Sequence, residues 1–212
     1  MDKGNGAKSR MPSLGRGGLG FDPRKTAILF IEVQNEFMTP GGKLYESVRP
    51  VMEEINMVAN CVRLVKELRD SVVKVMFAPI SFSPDSSDNP NRHLGILSGI
   101  DYDELFIRGS WNAQISELML DPDANNDDVV VIQGKRGLSA FPNTDLEEQL
   151  KKHGIDTIAL AGFMANCCVE STMRDAFDRG YNVVTLADCV ATTTIRGYKS
   201  CVEITYPFFS TP

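Results

Sequence analysis

Two neighbouring cysteines lie where an apolar strand is predicted to turn into a helix. The segment reads Ala159-Leu-Ala-Gly-Phe-Met-Ala-Asn-Cys-Cys-Val-Glu-Ser-Thr172. Backbone N–H groups and the positive end of the helix dipole at such a turn favour the thiolate form of a thiol. Cys167 and Cys168 are therefore candidate nucleophiles, although most cysteines without a disulfide are simply small buried apolar residues.

The residues that follow the turn have the pattern of an amphipathic helix. Val169, Met173, Ala176 and Phe177 form one apolar stripe, and the charged residues of the segment lie off it. This pattern predicts a helix that packs on the sheet and begins at the two cysteines.

A carboxylate and a lysine follow two other predicted strands. Residues 27–31 are a continuous apolar run, which is typical of a strand covered on both faces, and Glu32 follows its carboxyl end. Lys135 comes just after the apolar run 129–132. Because ligands of open α/β sheets bind outside the carboxyl ends of the strands, these positions favour a functional role over that of a solvated loop residue.

The order of the predicted elements indicates an α/β protein. Apolar runs predict further strands at 72–78, 156–161 and 182–187, with Asp188 and Cys189 leaving the last one. A crossover helix is predicted through Val51, Ile55, Val58, Val62 and Val65, and a short helix at 145–153. Strands that alternate with helices imply a doubly wound, mostly parallel sheet. Glu32, Lys135 and Cys168 then leave the same end of that sheet.

Three segments, in this order, resemble motifs of the isochorismatase-like cysteine hydrolases, a family that includes nicotinamidases and N-carbamoylsarcosine amidohydrolases. They are residues 27–37, 135–141 and 162–172, and the match spans about residues 25 to 210. The resemblance implies a three-layer α/β/α sheet with strand order 3-2-1-4-5. A sixth strand is in doubt, because relatives continue beyond the point that corresponds to Pro212.

The resemblance also implies a catalytic triad. Cys168 directly precedes the valine of the family motif and would be the nucleophile, with Cys167 buried behind it. Glu32 would take the thiol proton, and Lys135 would stabilise the charged pair. The product is a thioester that water then hydrolyses. Since the family normally has Asp where this chain has Glu32, the carboxylate is expected to be displaced and the pocket adjusted to it.

An oxyanion hole is implied in the same way. The backbone N–H groups of Met164 and Cys168 would donate to the oxyanion, presented by a cis peptide bond between Phe163 and Met164. The candidate substrate contacts are Phe37, Trp111, Arg136 and Asn166. They suit a small planar amide or ureide, with Arg136 able to bind a carboxylate, and Trp111 is equally expected to cap the core.

No metal or other cofactor is expected. Nicotinamidases of this family have an Asp-x-His-x-His cluster, whereas this chain has only His93 and His153, far apart in the sequence. His93 is expected in a solvated loop, and His153 at an exposed helix end.

The composition is that of an ordinary globular protein, and the small-molecule substrate is what the family resemblance implies. The chain has 212 residues, a net charge of −6 and 42% hydrophobic residues, and its pI is about 5.0. The charge argues against nucleic-acid or anionic-membrane partners. Five cysteines, an odd number without framework spacing, and the lack of a signal peptide indicate a reduced, cytoplasmic protein. No apolar run is long enough for a membrane span.

The domain organisation is expected to be simple. Residues 1–24 are glycine-rich, without a helical stripe, and are interpreted as a flexible extension; organelle targeting is the less favoured interpretation. Residues 25–212 form one hydrolase domain. The family resemblance suggests a homo-oligomer, a dimer or tetramer.

Two other functions remain open. Isochorismatase-type vinyl-ether hydrolysis proceeds in the family without the cysteine, so the presence of Cys168 argues against it. A non-catalytic binding or scaffold protein that retains the fold is the second, and Glu32 is the main point in its favour.

Overall fold

The central sheet has five parallel strands in the predicted order. The computed structural model describes residues 22–68, 70–120 and 129–211, so residues 1–21 of the predicted extension lie outside the described residues. The sheet order is β3-β2-β1-β4-β5, which confirms the doubly wound arrangement. The strands are β1 (Thr26–Ile31), β2 (Lys74–Ala78), β3 (Val130–Val131), β4 (Thr157–Phe163) and β5 (Asn182–Ala191).

Helices connect the strands and cover the sheet. They are α1 (Asn35–Met38), α2 (Tyr45–Glu54), α3 (Met57–Leu68), α4 (Gly95–Tyr102), α5 (Leu146–Lys152), α6 (Glu170–Asp178) and α7 (Ile195–Ser200). A π-helical turn (Ala165–Val169) precedes α6, and another (Cys201–Thr205) follows α7.

Two hydrophobic cores lie on opposite faces of the sheet, as the three-layer prediction requires. Side chains of β1 alternate between them because successive strand residues point to opposite faces: Ile28 and Phe30 belong to one core, and Leu29 and Ile31 to the other. Residues of α2, α3 and α4 complete the first core, whereas α5 and α6 complete the second. All of β1 and β4 is buried, which explains their unbroken apolar sequences.

The predicted single crossover helix is wrong, because the chain forms α2 and α3 instead. Asn56, between them, has φ 53°. This left-handed conformation cannot continue an α-helix, and asparagine adopts it more readily than most residues. The hydrophobic stripe continues through the break, so the periodicity did not reveal it.

The fifth strand is longer than predicted. Its register with β4 shifts between Leu160 and Gly162, and pairing then resumes at Val190 and Ala191. Cys189 therefore lies within β5 and is buried, rather than in a segment leaving it. The last described residues add one parallel bridge between Thr211 and Val184, in the place of a sixth strand.

The predicted stripe on α6 is correct for three residues and wrong for the fourth. Val169, Met173 and Ala176 are fully buried, but Phe177 is 48% exposed. The Phe177 ring instead meets the edge of Phe209, with ring centroids 5.6 Å apart. The segment that contains Phe209 therefore partly covers the Phe177 side chain, a contact that helical periodicity does not predict.

Gly162 allows the two central strands to approach each other beside Glu32. It has φ +110°, and a Cβ there would overlap the carbonyl oxygen of its partner Ile31. We expect Gly162→Ala to reduce the free energy of unfolding by about 3 kcal/mol or more, because both backbone strain and overlap are introduced. Urea unfolding would measure the loss.

Gly154→Ala is the matched control for that experiment. Gly154 also has a positive φ, +66°, but a Cβ there meets no heavy atom within 4 Å. Its expected loss is the conformational term alone, about 1 kcal/mol. Equal losses in the two variants would contradict the role assigned to Gly162.

Candidate active site

The site is built on a buried ion pair between Lys135 and Glu32. The side chains are 0% and 3% exposed. Lys135 Nζ donates to Glu32 Oε1 and to the carbonyl oxygen of Gly137, the latter at 2.6 Å. Burial alone would lower the pKa of Lys135, but the charge and hydrogen bond of Glu32 outweigh it and raise that pKa. Lys135 is therefore an ammonium group at neutral pH.

The end of β1 directs Glu32 into the site. Glu32 follows the last β1 residue, has φ 52°, and donates its backbone N–H to the Ala78 carbonyl at 3.2 Å. Lys135 comes from the loop after β3, which is separated from β1 by β2. The long lysine side chain spans that separation, so residues from non-adjacent strands meet.

Three polar residues after Glu32 organise the surrounding loops, and the sequence-based prediction did not include them in the site. The Gln34 side chain donates to the Ile80 and Ala113 carbonyls at 2.8 and 2.7 Å and accepts from the Ile80 N–H at 2.9 Å. Asn35 donates to the Trp111 carbonyl at 2.9 Å. The buried Glu36 carboxylate accepts from the Lys43 backbone N–H at 2.7 Å. A run of polar residues directly after a buried strand was the available signal.

Arg136 takes part in a different interaction from the one predicted. Asp88 accepts from Arg136 Nε at 2.8 Å and also from Arg108 Nη2. Burial opposes ionisation of Asp88, but the Ser83 backbone N–H and the two arginines hold the pKa of that carboxyl well below its usual range. This cluster ties the loop after β2 to the Lys135 segment, 48 residues away in sequence.

Cys168 lies inside the π-helical turn between β4 and α6. It is 5% exposed. Its carbonyl accepts from Thr172 Oγ1 at 2.7 Å, and Thr172 Oγ1 accepts from the Ala140 N–H at 3.0 Å. The cysteine turn and the segment that carries Lys135 are therefore joined by hydrogen bonds.

The protonation of the two cysteines differs from the prediction. The hydrogen bond to Cys167, burial and the negative charge of Glu32 raise the pKa of Cys168, and Lys135 offsets this only in part. The same hydrogen bond lowers the pKa of Cys167, which is also the more exposed of the two. Cys168 is thus a neutral thiol at neutral pH rather than a thiolate, and Cys167 is not buried behind it.

A cavity of about 250 Å³ opens beside Glu32 and Cys168. Glu32 and Cys168 both contribute to its wall, and so does Met164, which follows a cis peptide bond with Phe163 as predicted. The remaining wall residues are Phe37, Leu44, Ser47, Val48, Ile80, Ile96, Gly99, Ile100, Asp103, Leu105, Phe106, Leu138 and Thr193.

Of the four predicted substrate contacts, Phe37 lies in this wall. Its ring stacks on Phe163 with centroids 5.0 Å apart. Trp111 is exposed and is not a wall residue. Arg136 is held by Asp88, and Asn166 is exposed and accepts from Thr192 Oγ1 at 2.6 Å. Arg136 and Asn166 lie outside the cavity wall and are hydrogen-bonded to Asp88 and Thr192, which are remote in sequence.

The two histidines lie apart from the triad. His93 is in an exposed turn, and His153 caps α5, where burial and the charges of Lys74 and Lys152 lower its pKa. Within residues 22–68, 70–120 and 129–211, no three His, Cys, Asp or Glu side chains are grouped closely enough to hold a metal ion. Among the described helices, none has the length and apolar content needed to cross a bilayer.

The fold is that of isochorismatase-like proteins, and the chain belongs to that family: the isochorismatase domain matches residues 26–209. Ureidoacrylate amidohydrolase RutB from Methylobacterium radiotolerans is 29% identical over 80% of this chain and 68% of that enzyme. An isochorismatase-like hydrolase from Alkaliphilus metalliredigens has a TM-score of 0.69 at 26% identity, covering 88% and 92% of the two chains. N-carbamoylsarcosine amidase from Thermoplasma acidophilum shares the fold, with a TM-score of 0.65 at 24% identity and 85% and 92% coverage.

The raised pKa values predict that the protein loses stability in alkali. The ordinary pKa is 10.5 for Lys135 and 9.0 for Cys168 and Cys61, and all three are raised in the folded protein. The folded state then holds these protons more tightly than the unfolded chain does, so their stabilisation is complete below the unfolded pKa and is lost above it. We expect the free energy of unfolding to fall steadily above about pH 9.

Urea unfolding between pH 7 and 11 would measure this dependence. Cys61→Ala removes one of the groups without touching the cavity wall, and should make the decline above pH 9 less steep. A free energy of unfolding that rises through this range would contradict the assigned directions.

Proposed function

We propose that this protein hydrolyses the C–N bond of a small amide or ureide through a thioester on Cys168. The observation that carries the proposal is the buried Lys135–Glu32 pair, because its carboxylate shares one cavity wall with the Cys168 thiol. A relative that is by name a ureidoacrylate amidohydrolase supports the reaction class.

In the first half of the reaction, the Cys168 sulfur attacks the amide carbonyl carbon while Glu32 takes the thiol proton. The raised pKa of Cys168 suits this order, since the proton leaves during attack and not before it. The backbone N–H groups of Met164 and Cys168 donate to the oxyanion of the tetrahedral intermediate. The C–N bond then breaks, and Glu32 passes its proton to the leaving nitrogen.

In the second half, water replaces the amine. Glu32 takes a proton from the water as its oxygen attacks the thioester carbonyl. The second tetrahedral intermediate collapses with loss of the Cys168 thiolate, which regains its proton from Glu32. Lys135 remains charged throughout and holds Glu32 in position through its hydrogen bond, so it is a positioning residue. No metal is needed for either half.

Trapping of the acyl-enzyme tests the proposal directly. When the protein is mixed with a panel of small amides and ureides and quenched in acid, mass spectrometry should find the acyl group on the peptide that contains Cys168. Cys168→Ala should lose both the adduct and the hydrolysis, whereas Cys167→Ala should keep the adduct. An acyl group on Cys167, or full hydrolysis by Cys168→Ala, would exclude this mechanism, and vinyl-ether cleavage or simple binding would then be the better reading.

Substitution of Glu32 tests the proton transfer. Glu32→Gln should reduce kcat/KM by about two to four orders of magnitude, the usual contribution of a positioned acid–base group. Glu32→Asp should also be slower than wild type, because the shorter carboxylate is withdrawn from the thiol. Aspartate adopts a φ near the observed 52° readily, so this variant should keep the backbone conformation at residue 32.

Glu54→Gln, at an exposed glutamate of α2, is the control for loss of a carboxylate alone. Near wild-type kcat/KM in Glu32→Gln would show that another group takes the proton.

A further inference from the structure

Beyond the triad, the cavity wall is largely apolar. Phe37, Ile80, Leu105 and Phe106 are buried side chains of this wall, and Leu44 is partly buried. Among the described residues of this wall, the acidic side chains are those of Glu32 and Asp103. The part of a substrate that does not react therefore contacts hydrocarbon.

One face of α4 forms the end of the cavity far from the sheet. Ile96, Gly99, Ile100 and Asp103 have the spacing of a single helix face, and all four line the cavity. Ile96 is 45% exposed and Asp103 is exposed, so this end is the mouth, whereas Glu32 and Cys168 lie at the buried end. A Cβ at Gly99 would meet no heavy atom within 4 Å. The absence of a side chain at Gly99 thus leaves space beside the apolar wall.

The nearby cations are already engaged. Lys135 donates to Glu32 and Gly137. At the mouth, Lys43 Nζ donates to the backbone carbonyl oxygens of Asp103 and Glu104 at 2.7 and 3.1 Å. Arg108 and Arg136 both bind Asp88. An anionic substrate group that entered this cavity would meet Asp103 at the mouth and hydrocarbon inside, and transfer of a charge to apolar surroundings without a partner is strongly unfavourable.

We propose that the site takes an uncharged amide or ureide whose non-reacting part is an aliphatic chain or a single hydrocarbon ring lying against α4. This rests on the proposed amide hydrolysis. The cavity volume is large enough for such a group. A dry cavity of about 150 Å³ already holds benzene, and this cavity is about 250 Å³. A carboxylate-bearing ureide such as ureidoacrylate is accordingly a poor substrate.

A matched pair of amides tests the proposal on the wild-type protein. Hexanamide and 6-amino-6-oxohexanoate have the same chain length and differ in a terminal carboxylate. We expect kcat/KM for hexanamide to be higher by about tenfold or more, since its terminal methyl group packs on the apolar side chains near the mouth, whereas the carboxylate loses part of its hydration there and lies beside Asp103. Equal values, or a preference for the anion, would overturn the proposal.

Two substitutions on α4 and its end test where the preference arises. Gly99→Leu should lower the ratio of kcat/KM for hexanamide over acetamide by about tenfold, because the new side chain occupies the space for the longer chain. Asp103→Asn should raise kcat/KM for 6-amino-6-oxohexanoate by about threefold, a small effect because the group is exposed and screened. Glu104→Gln removes a neighbouring acidic side chain that is not in the wall. It should leave unchanged both the ratio of kcat/KM for hexanamide over acetamide and kcat/KM for 6-amino-6-oxohexanoate. An unchanged chain-length ratio in Gly99→Leu would show that α4 does not bound the substrate.

Binding to Cys168→Ala separates this proposal from the proposed reaction. Hexanamide should raise the Tm of this variant in a concentration-dependent way, and 6-amino-6-oxohexanoate should not. If hexanamide binds but the wild-type protein hydrolyses no amide, the reaction is wrong and the ligand class stands. If neither compound raises Tm, or only the anion does, the ligand class is wrong whatever the reaction.

Discussion

The buried pair of Lys135 and Glu32 is the interaction on which the rest of the site depends. Removal of two charges from water is unfavourable by several kcal/mol per ion, and their attraction compensates only when the geometry is closely controlled. Hydrogen bonds near both residues provide that control. Gln34 fixes the segment after Glu32 to two other loops. The Gly137 carbonyl accepts a second hydrogen bond from the Lys135 ammonium group. The Asp88 cluster secures the residue next to Lys135. The pair is thus the centre of a network that joins the ends of β1, β2 and β3.

The same pair acts on the Cys168 thiol. The hydrogen bond to Cys167, burial and the negative charge of Glu32 raise the pKa of Cys168 despite the nearby lysine, so the thiol loses its proton less readily. Under the proposed mechanism, Glu32 accepts the thiol proton during attack, so formation of the nucleophile is coupled to formation of the bond to the carbonyl carbon. The proposed site thus differs from one with a preformed thiolate at a helix N-terminus.

Sequence reasoning succeeded where the structure depends on local pattern and topology. The apolar runs of β1 and β4 are visible because both faces of these strands are buried, and residues that follow parallel strands must share one sheet edge. It failed where distant contacts decide. The position of Arg136 depends on Asp88 and the exposure of Phe177 on Phe209, and neither partner is a neighbour in sequence. The raised pKa of Cys168 depends first on its hydrogen bond to Cys167 and on burial, and the charge of Glu32, remote in sequence, adds to it. The break at Asn56 escaped notice because the hydrophobic stripe continues through it.

The two ends of the cavity rest on different parts of the fold, and this has a consequence for specificity. The reacting end belongs to β1 and β4, which are buried throughout, so a change there disturbs both cores and the ion pair together. The mouth belongs to α4, an eight-residue helix with exposed apolar side chains. Substitutions on that helix can reshape the space around a substrate without moving Glu32, Lys135 or Cys168. The space bounded by α4 can therefore change while the buried residues remain in place, and under the proposed function we expect α4 to be the element that distinguishes one small amide from another.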